Sequence, residues 1–231
     1  MESPLGGTGD ADLAGSVGTG RPLIVVVSGP SGSGKTSVVE RVCRLRAIRK
    51  SVSATTRPPR PGERDGISYH FLSAEDFRQR VAAGEFAEWA QYRSHWYGTP
   101  RRALEEALAA GEDVLLEIDV QGGAQIRARY REAVLVFVLP PNRAVLERRL
   151  AARGTEDEAR RRERLEAAVQ EIETSTIYDY VIVNEEGRLE DAAAQLDAII
   201  RAEHRRLTEE RAVALRVRAH LVTTSKEADT G

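Results

Sequence analysis

Large apolar residues fall along this chain in short, bounded runs. "LIVVVSG" (23–29), "VLLEID" (114–119), "VLVFVL" (134–139) and "YVIVN" (180–184) have the length and β-branched content of strands buried on both faces. Helical stretches with legible ends lie between them. "SAEDFRQRVAAG" starts at Ser73 and stops at Gly84. Thr99 reads as a helix cap, with Pro100 in the first turn and Gly111 closing the helix. Thr155 and Glu158 have capping-box spacing ahead of an arginine-rich helix. Strands alternating with helices predict a parallel sheet covered on both sides. The alternation breaks over residues 54–99, where "ISYHF" and "EFAEWAQY" predict a small inserted sheet.

The flanks lack this pattern. Residues 1–20 are glycine-rich with few large apolar groups and read as a flexible tail, and the stretch from Val213 to Gly231 reads the same way. The 231 residues suffice for one sizeable core with insertions. The 34 basic and 36 acidic residues leave a net charge of -2, which argues against a nucleic-acid partner held by bulk positive charge. No long apolar run predicts a membrane span, and no signal-peptide pattern opens the chain. Cys43 stands alone and reads as a small core residue in a reducing, cytoplasmic setting.

One motif carries chemistry outright. "GPSGSGKT", Gly29, Pro30, Ser31, Gly32, Ser33, Gly34, Lys35 and Thr36, follows a strand and opens a helix, the context of a phosphate-binding loop. Glycines let successive backbone N–H groups converge on one oxyanion, and the helix N-terminus adds partial positive charge. Lys35 is placed to reach the terminal phosphates of a nucleotide, and the Thr36 hydroxyl to ligate Mg²⁺. Glu117 and Asp119 project from the carboxyl end of "VLLEID", where open α/β sheets bind ligands. Asp119 is a candidate for the metal's water shell; a solvated strand-end acid is the alternative. ATP is the expected phosphoryl donor.

The acceptor is indicated by a resemblance. "GPSGSGKT", "SVSATTRPPRPGERDG", "EFAEWAQY", "HWYGTP", "EIDVQGG", "RGTEDE" and "YVIVN" occur in the order and near the spacing of the guanylate kinases of bacterial type, and the chain resembles them over about residues 21–205. The resemblance implies an α/β phosphate-loop kinase with a five-stranded parallel core sheet, an inserted mixed α/β domain for the nucleoside monophosphate, and a helical lid. The implied division is a core over 21–53, 100–145 and 172–205, a GMP-binding domain over 54–99, a lid over 146–171, and a helix end and tail over 206–231. The implied reaction is Mg²⁺-assisted in-line transfer from ATP to GMP, and to dGMP, giving ADP and GDP.

The same resemblance implies roles for individual residues. Arg57 and Arg60 hold the GMP phosphate with Tyr69 and Tyr97; arginine forks suit phosphate oxygens and the prolines stiffen their loop. Glu88 and Glu117 accept from the guanine N1–H and N2–H₂ edge, with Ser53 and Thr99 as hydroxyl partners. Pattern alone leaves Glu88 equally readable as a surface strand glutamate. Arg149, Arg153 and Arg164 face the nucleotide, and Lys35, Arg153 and Arg164 act on the transferred group. Asn184 borders the adenine pocket. Arg143, Arg148 and Arg160 to Arg162 read as a solvated face paired with spaced acids. Two other readings stay open: a ribose bisphosphate phosphokinase-like enzyme, and a non-catalytic module of guanylate-kinase shape. Oligomeric state has no sequence signal.

Overall fold

The computed structural model describes residues 21–151 and 158–206, with backbone alone over 158–164 and at 174. Residues 21–200 form one compact unit, and the end of the last helix belongs to a second. The predicted parallel sheet is present. Its strands are β1 (Ile24–Ser28), β2 (Arg49–Lys50), β7 (Val114–Glu117), β8 (Val134–Leu139) and β9 (Tyr180–Val183), in the order β2-β7-β1-β8-β9. Every neighbouring pair runs parallel.

Strand alternation divides the core into two layers. Val25 and Val27 of β1 pack with Leu115, Val136 and Val138 against helices α1 (Lys35–Leu45) and α7 (Leu189–Glu203), through Val38, Val42, Ala193 and Leu196. Ile24 and Val26 point to the opposite face. They meet Leu116, Leu135, Leu104 of α3 (Arg101–Ala109) and Ile126 of α4 (Val120–Arg129). Burial on both faces explains why these runs read as continuous apolar stretches rather than alternating ones. The outer strand β9 departs from that expectation, because Val181 is 59% exposed and Val183 is exposed too. The edge position leaves one of its faces uncovered.

The inserted sheet has four short strands in the order β4-β3-β6-β5. They are β3 (Ala54–Thr55), β4 (His70–Phe71), β5 (Phe86–Tyr92) and β6 (His95–Pro100). Helix α2 (Ala74–Ala82) covers one face, where Phe77 stacks on Phe86 at 4.6 Å and lies 6.2 Å from Trp96. The helix starts at Ser73 as predicted, and Ser73 caps it, accepting from the Asp76 N–H at 3.0 Å. A bulge at Ala87 separates the pairs Phe86–Pro100 and Glu88–Thr99. The extra residue reverses facing: Phe86 points to α2, whereas Glu88, Ala90 and Tyr92 line a cleft on the other side.

Two local expectations are corrected. Thr99 does not cap α3. Pro100 occupies the N-cap position with no side-chain bond to the helix, and the Thr99 hydroxyl is spent on Glu88. Asp119 is not a strand-end acid but the N-cap of α4, accepting from the Gly122 N–H at 2.8 Å. The arginine-rich region forms α5 (Arg143–Ala151) and α6 (Glu158–Glu173). Arg153 and Thr155 of the capping box lie outside the described residues, as do both predicted tails; for Arg164 the description stops at its backbone.

Candidate active site

Gly29 to Thr36 joins β1 to α1. Gly34, the N-cap of α1, has φ 90°. A Cβ there would stand 2.2 Å from Asn184 Nδ2, so both the backbone and the close approach require glycine. Asn184 is buried at the end of β9, and its amide donates to the Ser33 carbonyl at 2.8 Å. Arg149 reaches in from α5, donating to the carbonyls of Ser33 at 3.2 Å and Asn184 at 3.1 Å. Lys35 Nζ donates to the carbonyls of Gly29 and, at 3.1 Å, Pro30. Side chains thus occupy the loop's carbonyl oxygens, an arrangement that suits a cradle whose N–H groups serve a ligand.

The loop forms one wall of a cleft. Gly29, Ser31, Gly32, Gly34, Lys35 and Thr36 face it from the core, and Ser53, Tyr69, Glu88 and Tyr97 from the small sheet. Glu117, Asp119 and Glu171 line it as well. Glu117 bridges the core elements: it accepts from the Thr36 hydroxyl, and from Lys50 Nζ of β2 at 2.9 Å. Burial alone would lower the Lys50 pKa, but the charge and hydrogen bond of Glu117 outweigh it and raise it. Burial pushes the Asp119 carboxyl upward, against the backbone bonds of Gly122 and Gln121 and the charge of Lys35. The Thr36 hydroxyl and the Glu117 and Asp119 carboxylates here form a hard-oxygen set. That fits Mg²⁺, which takes few protein ligands and keeps waters and substrate phosphates in its shell.

On the opposite wall, Glu88 is 4% exposed and accepts from the Thr99 hydroxyl at 2.6 Å. Burial pushes its pKa up to about 7; the bond from Thr99 opposes the shift and the charge of Asp119 adds to it. The first turn of α4 makes room for it. A Cβ on Gly122 would come within 2.4 Å of Glu88 Oε2. Farther along the same helix, the Gln125 side chain pairs with the backbone of Trp89, and Arg129 donates to the carbonyls of Phe86 and Ala87 at the bulge. Helix α4 therefore docks the small sheet on the core and closes a strand edge.

Arg57 stands beside the cleft, its guanidinium 5.5 Å from the Tyr69 ring centre. Tyr69 and Tyr97 meet edge to face at 6.1 Å. Arg60 is exposed on the same proline loop. The structure thus brings Lys35, Thr36, Ser53, Tyr69, Glu88, Tyr97, Glu117 and Asp119 to one cleft, with Thr99 directly behind Glu88. Asn184 and Arg149 brace the loop through the Ser33 carbonyl. Arg148 pairs with Glu186 at 2.7 Å and Arg143 with Glu147 at 2.7 Å, as a solvated face should.

Three residues were missed by sequence reasoning. Lys50 is one of three lysines, and only its 2.9 Å contact with Glu117 gives it meaning. Glu63 holds Arg57. Glu171 lies in the arginine-rich α6, where a glutamate reads as one more solvated partner. It lines the cleft instead, its pKa pushed to about 7 by burial, opposed by Lys35 and reinforced by Asp119.

Residues 20–203 match the family model described as guanylate kinase. The chain belongs to the guanylate kinase family. Curated guanylate kinases align over most of their length: that of Symbiobacterium thermophilum is 49% identical over 185 residues, covering 80% of this chain and 87% of that one. That of Anaeromyxobacter dehalogenans is 50% identical, covering 80% and 82%. The crystal structure of guanylate kinase from Anaplasma phagocytophilum superposes with a TM-score of 0.66 at 35% identity, covering 81% of this chain and 88% of that chain. Guanylate kinases are nucleoside monophosphate kinases, and the reaction of the family is phosphoryl transfer from ATP to GMP.

Proposed function

We propose that the cleft holds ATP and GMP end to end and aligns them for transfer of the γ-phosphoryl group, giving ADP and GDP. The observation that carries the reading is the buried Glu88–Thr99 pair, lining the same cleft as the phosphate loop. A desolvated carboxylate backed by a hydroxyl suits the two adjacent donors of guanine and leaves adenine's opposite edge unsatisfied. Ser53 and Glu117 complete the base pocket, and Arg57, Arg60, Tyr69 and Tyr97 hold the monophosphate.

On the donor side, the amides of Gly29 to Gly34 and Lys35 hold the triphosphate, with Asn184 at the adenine border. Thr36, and Asp119 through water, would hold Mg²⁺. The ion, when bound, supplies charge neutralisation at the phosphate oxygens. Lys35 and the arginines at 149, 153 and 164 supply further positive charge to the moving group. The nucleophile is a phosphate oxygen already ionised at neutral pH, so no side chain need remove a proton. In this division residues 54–99 serve as the GMP-binding domain and 146–171 as the lid that excludes water. The substrates are small molecules, dGMP among the acceptors, and a cytoplasmic enzyme is the matching setting. No described helix is long and apolar enough to cross a membrane.

The test is ADP formation from ATP with GMP, dGMP, AMP, CMP and UMP offered separately. GMP and dGMP should support turnover and the other three should not. Equal rates with AMP would remove the guanine assignment.

A further inference from the structure

The proline loop is organised by a residue that is not itself an arginine. The Glu63 carboxylate accepts from Arg57 Nη2 with both oxygens, at 2.8 and 3.0 Å. It also accepts from the Arg60 backbone N–H at 2.7 Å, while its own N–H donates to the Arg60 carbonyl at 3.0 Å. One side chain therefore closes the turn and grips the arginine. Arg57 is fixed from other directions too: Nη1 donates to the Pro58 carbonyl at 2.6 Å, its N–H to Thr55 Oγ1 at 3.2 Å, and its guanidinium rests against Tyr69. The pair is well shielded, with side chains 11% and 20% exposed. The bond from Arg57 holds the Glu63 carboxyl below its usual range, so it stays ionised at neutral pH.

We infer that Glu63 is a positioning residue for GMP: it presets Arg57 and the Arg60 turn to receive the phosphate. This rests on the reading of Arg57 as a phosphate holder. The opposite possibility is physically clear, since a carboxylate on an arginine fork could stand in for phosphate and compete with it. Geometry favours positioning. Glu63 engages Nη2 alone among the guanidinium nitrogens and simultaneously builds the turn through Arg60. An unheld arginine would have to be immobilised at substrate binding, at a cost in rotamer entropy.

The experiment compares Glu63→Gln, Glu63→Ala, Arg57→Ala and the double variant Glu63→Ala/Arg57→Ala in the full chain, by calorimetric binding of GMP and of guanosine. The glutamine variant should weaken GMP about tenfold, leave guanosine binding unchanged, and leave the ATP KM unchanged. In the Arg57→Ala background the Glu63 change should add nothing, as for a residue acting through its partner. Tighter or unchanged GMP binding by both single Glu63 variants, with Arg57→Ala still impaired, would overturn the inference alone. Unaltered GMP binding by Arg57→Ala would instead remove the phosphate assignment beneath it.

Discussion

On the proposed reading, the two walls of the cleft recognise their ligands with different material. The phosphate loop works with main chain: glycines, amide dipoles and one lysine, with Ser33's carbonyl held by Asn184 and Arg149. The base wall works with side chains, above all a carboxyl that burial has moved to a pKa of about 7. A backbone cradle carries no titratable group. A buried glutamate is strong when ionised and weak when protonated. Glu171, pushed to about 7 beside the charges of Lys35 and Asp119, titrates in the same cleft, so the effect of mild acid on the GMP side is the part that Glu88→Gln removes.

The largest effects should separate the walls outright. Lys35→Met should lower turnover on the order of 10²–10³-fold while calorimetric GMP affinity stays unchanged; loss of GMP binding would show that the walls are not independent. Glu88→Gln should do the reverse, weakening GMP on the order of 10²-fold with ATP binding intact. Gly122→Ala attacks the same carboxylate through packing, because its methyl would overlap Glu88 Oε2. About a tenfold loss of GMP affinity is expected, again without effect on ATP.

Titration sharpens the contrast. Below pH 7 Glu88 is protonated in the empty cleft, so binding guanine must expel a proton. Affinity should then fall toward tenfold per pH unit, about 1.4 kcal/mol, and flatten above pH 7. Guanosine isolates this effect, because it has no phosphate to titrate. Calorimetry at pH 6 in buffers of different ionisation enthalpy should detect proton release that Glu88→Gln abolishes.

Stability carries the opposite sign. The folded chain holds a proton on Glu88 between about pH 4.5 and 7 that the unfolded chain has released, so folding stability drops as pH rises through that window. By pH 8 the loss approaches ~3 kcal/mol. Glu88→Gln should melt higher than the parent at pH 8 and show little difference at pH 4.5. Smallest of all, Lys50→Met should change GMP affinity only a few-fold, since Lys50 is more than a third exposed and acts through Glu117.

Legibility followed the same division. The loop was readable because its chemistry is local: eight adjacent residues supply the turn, the amides and the lysine. The sheet strands were readable because burial on two faces writes an unbroken apolar run. Thr99 was misread because a threonine before a proline has the local signature of a cap, and nothing nearby reveals an acid across the strand pair. Glu63 passed unnoticed in a loop where the arginines drew the chemistry, and Glu171 in a helix full of charge.

What the sequence determined by itself is the set of short-range interactions: alternating α/β order, the oxyanion cradle and the helix start at Ser73. The tertiary structure alone decided which polar groups lose water. A single bulge turned Glu88 away from the face of Phe86, and α4 brought Gly122 against it. Desolvation depends on what packs from distant parts of the chain, so a carboxyl near pKa 7 belongs to the fold and not to the residue.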